Sequence, residues 1–274
     1  MNAGAHLLGS PRSPGVPVAP AASGGAPGRD AAAPLRGRAT TPSRPRSRAR
    51  RALAVVTALV ALLACDPYVK GNGVLREDTR NVGAFEGLRV EDGIQAEVTA
   101  GAAEQRVAMS GDENLLEHIQ TLVRADAAHG QVLEVRSTLS SFDSTHPLRV
   151  VVAVPVLRFV GAKDACFATI SGASAEIMTV DASDGADVRL AGRGGAQLSV
   201  RLAGGQRGGA HLGAREYRAE DATVELSGGA RAELRVSERV SGTVSGAETA
   251  LENVGGACDV TVTDGATVSC APGT

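Results

Sequence analysis

Gly185-Ala186-Asp187-Val188-Arg189-Leu190 and, ten residues on, Gly195-Ala196-Gln197-Leu198-Ser199-Val200-Arg201-Leu202 contain the unit from which most of this chain is built. A Gly-Ala step opens each, and polar and apolar residues then alternate. The step recurs at Gly161-Ala162, Gly172-Ala173, Gly209-Ala210, Gly229-Ala230, Gly246-Ala247, Gly256-Ala257 and Gly265-Ala266, with Asp221-Ala222 as a copy lacking the glycine. Nine intervals cover the 104 residues from 161 to 265, about 12 residues each.

A period of two belongs to strands with one buried face. Glycine suits the step because a sharp turn between strands needs positive φ or close backbone approach, and the small alanine fits a tight corner. Strands this short bury too little alone, so copies must stack, each covering the apolar row of the next. A parallel β-helix is the natural closure, all-β, with two Gly-Ala corners per coil of about 23 residues and a rise of about 4.8 Å per coil. Val188, Leu198, Val200, Leu226, Leu234 and Val268 are then expected to share one core. Only the Gly256 copy breaks phase, because Cys258, Val260 and Val262 stand at odd steps from Ala257, and a bulge is expected there.

Before the repeat the composition changes twice. Residues 1–43 are rich in Pro, Ala, Gly, Ser and Arg and read as a disordered or untranslated extension, with true initiation expected between residues 16 and 45. Residues 44–64 supply a basic lead, Arg44 to Arg51, and an apolar run, Ala52 to Ala64, too short to span a bilayer but right for a signal peptide. The closing Leu62-Leu63-Ala64-Cys65 resembles a bacterial lipobox, which implies lipidation at Cys65 and attachment to a membrane of the bacterial cell envelope. The mature chain would begin with a tether, 65–73, leading into one domain, 74–274.

Nine of the 28 basic residues and one of the 30 acidic ones precede Cys65, so the mature charge is 19 minus 29, or −10 with His neutral. Such a surface repels nucleic acid. Four Phe, two Tyr and no Trp leave little for the stacking platforms on which sugar and base recognition rely. Cys166, Cys258 and Cys270 remain after Cys65. Cys258 and Cys270 lie on adjacent copies and either pair as a disulfide or, like Cys166, serve as small apolar residues.

Between the tether and the repeat come three alternating runs, Phe85 to Val90, Gly93 to Val98 and Val107 to Met109. Ser110-Gly111-Asp112-Glu113 has capping-box spacing and predicts a helix with Leu115, Leu116, Ile119, Leu122 and Val123 on one face. Strands then return over 132–135 and 148–154, with Pro155 at a bend.

Phe85-Glu86-Gly87-Leu88-Arg89-Val90, Gly93-Ile94, Ser110 to Leu116, Val150 to Val160 with its Pro155, and Ser171-Gly172-Ala173-Ser174, taken in this order, resemble the head GIN-domain family of autotransporter adhesins. The resemblance spans about residues 74–270. It implies a right-handed, pectin-lyase-like parallel β-helix with one packed helix, frequent lipidation, a role in adhesion and no catalytic residues. Arg193-Gly194-Gly195 and Arg207-Gly208-Gly209 depart from the family's serine-rich turns.

Chemistry has few footholds. Asp181, Asp184 and Asp187, with Arg189, are the best constellation, but at i, i+3 and i+6 around a glycine corner they go to different faces; a solvated turn is expected, with a weak cation site as the sharper alternative. No zinc-type Cys spacing, P-loop or nucleophile elbow is present. No cofactor and no metal are expected. The sequence therefore reads as a non-catalytic envelope module for a protein or glycan ligand. The competing reading is a degenerate carbohydrate-active enzyme of the same fold, which clustered carboxylates and aromatics on one outer face would favour. Past the Gly265 copy no helix or charged run covers the last coil, so either an early strand folds back over it or the domain self-associates there.

Overall fold

A computed structural model describes residues 68–272, and they form a right-handed parallel β-solenoid with a single helical turn. The leader, residues 44–64, and Cys65 lie outside the described residues. Two long faces carry the stack. On the first, Val180, Val200, Val224, Gly242 and Val260 lie over one another in parallel register. On the second, Ala168, Val188, Leu212, Ala232, Leu251 and Val268 do the same. The first column advances by 20, 24, 18 and 18 residues, so most coils are shorter than the 23 that two equal repeats would give.

The alternation places the core as the sequence predicts. Val188, Leu198, Val200, Leu226 and Leu234 are buried, and Val268 packs partly buried against the same cluster. The Gly-Ala step has its own explanation where the chain turns from the first face to the second. In Ser183-Asp184-Gly185-Ala186 the Ala186 amide donates to the Ser183 carbonyl at 3.2 Å, and Asp184 and Gly185 have φ of 53° and 79°. Ser227 to Ala230 and Thr263 to Ala266 repeat the bond and the paired positive φ values. These are turns with two left-handed central residues, the type I′ pattern, so glycine at the third position and a short Asp or Gly at the second are what the backbone demands. At the Gly256 copy no bulge forms: 257–263 pairs with 239–245 residue for residue. The chain rounds a different corner there, and Cys258, Val260 and Val262 fall in line with Val240, Gly242 and Val244.

A third, shorter wall closes each coil, built from residues near 192–196, 216–220, 235–238 and 254–256. Tyr217 fills its interior, fully buried, with its hydroxyl donating to the Ala175 carbonyl at 3.3 Å; burial pushes its pKa up to about 12.

The stacking order departs from chain order at the start. Gly87–Val90 and Gln95–Ala100 form one coil, and Phe159–Ala162 and Phe167–Ala173 lie directly on it. The intervening residues go to the other side, where Gly130–Ser137 and Arg149–Val154 add in parallel. Antiparallel strands Ile119–Asp126, Arg106–Asp112 and Leu75–Arg80 then cover that end.

The helix expected over 110–123 is confined to Glu113–Leu116. Ser110 lies in a strand, and Ile119–Asp126 is a strand rather than the helix's second half. Ile119, Thr121 and Val123 are β-branched, and pairing with Gly130–Ser137 gives their backbone a full antiparallel ladder that a short surface helix cannot match. Asp112 occupies the N-cap position yet makes no capping bond. Its buried carboxylate instead accepts from the amides of Gly73, Thr145 and His146. Of the expected tether, residues 68–73 are held on the domain: Val69–Lys70 pairs with Phe142–Asp143, and Asn114 bridges Lys70 and Asn72.

Candidate functional site

Asp181, Asp184 and Asp187 do not converge. Asp181 stands opposite Arg201 on the first face, the Asp184 carboxylate accepts from the Gln206 amide at 3.2 Å across the corner, and Asp187 faces His211 on the second face. Among the described residues no group of three His, Cys, Asp or Glu side chains could hold a metal ion.

What the second face does assemble is a chain of charges running across coils. His211 Nδ1 lies 3.3 Å from Asp187 Oδ1, and its Nε2 is 4.0 Å from Glu233 Oε1. Glu233 Oε2 meets Arg215 Nε at 3.0 Å, and a second nitrogen of Arg215 reaches Glu252 Oε2 at 2.6 Å. Parallel register brings these residues together from four successive coils. A recess of about 490 Å³ sits among them, with Gly213 supplying no side chain between Arg189 and Glu233. Arg189 itself lies over the Phe167 ring, 5.1 Å from its centroid. Glu233 and Glu252 are thus held by Arg215, Asp187 is bonded to His211 and the Phe167 ring is covered, so the row is a ladder of paired side chains on an outer wall rather than a pair of free acids flanking a bond.

On the third wall the charged side chains lining one groove are mainly cations. Arg193, Arg218 and Arg235 line a groove of about 740 Å³ whose floor includes Gly194, Gly195 and Gly255. Arg218 stands directly across from Arg235 on the next strand, and the backbone at Arg218 presses on Gly194, where an added Cβ would overlap the Arg218 carbonyl oxygen. Glu220 is the one carboxylate lining the groove. In the sequence Arg193-Gly194-Gly195 reads as a corner and nothing signals its neighbours, because Arg218 and Arg235 meet only through a register shift between Ala214 and Arg218.

At the last coil Cys258 and Cys270 stand with their Cα atoms 6.3 Å apart, their sulfurs in bonding contact, linking the two final strands. Cys166 is a buried free thiol, and burial pushes its pKa up to about 12, so it is no nucleophile at neutral pH. Among the described residues no strand folds back over 257–263 or 267–272, each of which pairs on one side only. The N-terminal strands lie at the other end, so the internal lid anticipated for this coil is absent from the described residues. No described helix is long and apolar enough to cross a membrane.

A family model described as "Putative auto-transporter adhesin, head GIN domain" matches residues 84–250. No curated protein matches. Among solved structures, a putative adhesin from Bacteroides fragilis is 13% identical with a TM-score of 0.51, covering 74% of this chain and 99% of its own. A putative adhesin from Parabacteroides merdae is 15% identical with a TM-score of 0.47, covering 74% of this chain and 98% of its own. The likeness to the Bacteroides fragilis structure extends to the fold.

Proposed function

We propose that this chain, which belongs to the family of the putative auto-transporter adhesin head GIN domain, is a lipid-anchored protein of the bacterial cell envelope whose solenoid is a non-catalytic binding module. One observation carries the reading: the outer walls are register-locked rows of side chains in which Glu233 and Glu252 are held by Arg215, while Asp181, Asp184 and Asp187 point to separate places and form no acid–base pair. A stack with every internal rung paired on both sides presents its surface groups at fixed spacing, which favours recognition at low ordering cost.

The anchoring half of the proposal rests on Leu62-Leu63-Ala64-Cys65, with only a few residues between Cys65 and the first paired strand at Val69. A lipid at Cys65 would therefore hold the antiparallel end of the solenoid toward the bilayer and leave the last coil distal. Replacing Cys65 by Ala is expected to release the chain from the membrane fraction, and protease or antibody access on intact cells reports outward display. A Cys65→Ala chain that stays membrane-bound through a carbonate wash overturns the anchor.

A further inference from the structure

We propose that the groove on the third wall binds an acidic polysaccharide, a polymer bearing a carboxylate or sulfate on its repeating sugars, through Arg193, Arg218 and Arg235. The domain is strongly acidic, and many of its cations are paired with its own carboxylates; Arg89, Arg124, Arg149, Arg158, Arg201 and Arg215 all sit within ion-pair distance of an Asp or Glu. Arg193, Arg218 and Arg235 have no such partner and no side-chain hydrogen bond among the described residues, and all three are exposed. Two like charges directly opposite on neighbouring strands oppose folding. What sets these three apart is that they share one groove, two of them directly opposite each other, and an external anion bound there would match them.

The arrangement also selects the ligand. The three arginines come from three successive coils, so they rise along the solenoid axis at about 4.8 Å per coil, a repetitive array suited to a repetitive polymer. Guanidinium forks take carboxylate or sulfate oxygens two at a time and need no aromatic platform, which this chain lacks. Nucleic acid is disfavoured because a single strand is held by stacking its bases on aromatic side chains, and no aromatic residue lines this groove.

This deepens the reading of the solenoid as a binding module and is tested apart from membrane attachment. The full chain in detergent is titrated with polygalacturonate and heparin, with neutral dextran and poly-L-glutamate alongside. Saturable binding of at least one acidic polysaccharide, weakened by salt, with none to dextran, is expected. Arg218→Gln and Arg235→Gln should each lower affinity about tenfold, Arg235→Lys less, and Arg106→Gln, on the distant Arg106–Asp112 strand, should leave it unchanged. No binding to either polysaccharide, an equal loss with Arg106→Gln, or no loss in the groove variants would overturn the proposal. Poly-L-glutamate binding as tightly as the polysaccharides would overturn the assigned polymer class. Failure here leaves surface display by Cys65 untouched, and loss of display would leave the groove binding in solution.

Discussion

His146 Nδ1 lies 2.9 Å from the Asp112 carboxylate, and that carboxylate, fully buried, is the point at which three separate segments are tied together. Gly73 donates to it from the N-terminal segment, Thr145 and His146 from the loop before Arg149–Val154, and Asp112 itself ends the strand that covers the antiparallel end. Burial pushes the Asp112 pKa up, but the His146 side chain, the His146 and Thr145 amides and the imidazole's charge outweigh it and hold the pKa below 3.8.

That sign sets a pH dependence. A carboxylate whose folded pKa lies below its unfolded one stabilises the fold above the unfolded value and ceases to as pH falls through the folded value. Asp112→Asn should therefore cost about 2 kcal/mol in urea melts at neutral pH, and the difference from wild type should shrink below about pH 3.8. A constant difference across that range would mean the charge is not what holds the segments.

Gly242 sits in the first-face column between Val224 and Val260, with φ of 128°, and an added Cβ would overlap the Val224 carbonyl oxygen. Backbone cannot yield as a flexible side chain can. Gly242→Ala is expected to destabilise by more than about 3 kcal/mol, read as a large fall in Tm, while Gly130→Ala, with open space around it but φ of 73°, should cost about 1 kcal/mol.

The final coil has little core beneath it, and a crosslink between Cys258 and Cys270 closes a loop of 12 residues of sequence separation. Chain-entropy arguments put such a crosslink at about 3 kcal/mol. Oxidised protein should be two hydrogens lighter by intact mass than the reduced chain, and Cys258→Ala should expose the last strands to proteolysis first. Cys166 should react with thiol reagents only after unfolding, because it is buried. Rapid labelling of Cys258 and Cys270 in the native, non-reduced chain would rule the crosslink out.

Val262 is 45% exposed on a strand whose outer edge is unpaired, and the only charged residues over 257–272 are Asp259 and Asp264. Edges of this kind promote strand addition unless lysine, proline or a bulge blunts them. Sedimentation of the chain lacking its leader is expected to show association that grows with concentration and is suppressed by Val262→Lys. A clean monomer at tens of micromolar would end this proposal.

The strand period, the core-facing residues and the need for stacking were all legible in the chain, because alternation at Asp187 to Leu190 or Gln197 to Leu202 reports which side of a strand is buried wherever that strand ends up. The recurring Gly-Ala step was visible too, though its cause, a pair of left-handed residues at Asp184 and Gly185, belongs to the backbone. Three matters lay beyond any local pattern. Ile119–Asp126 became a strand because Gly130–Ser137 was there to pair with it, and capping-box spacing at Ser110 could not weigh that partner. Phe159–Ala162 landed on Gly87–Val90 rather than on the strands just before it, a choice made by which edge remained open. Arg193, Arg218 and Arg235 share a groove because Arg215 to Tyr217 bulge out of the register and shift the residues after them. Periodicity records the face of each residue, and only the folded stack records its neighbour on the next coil.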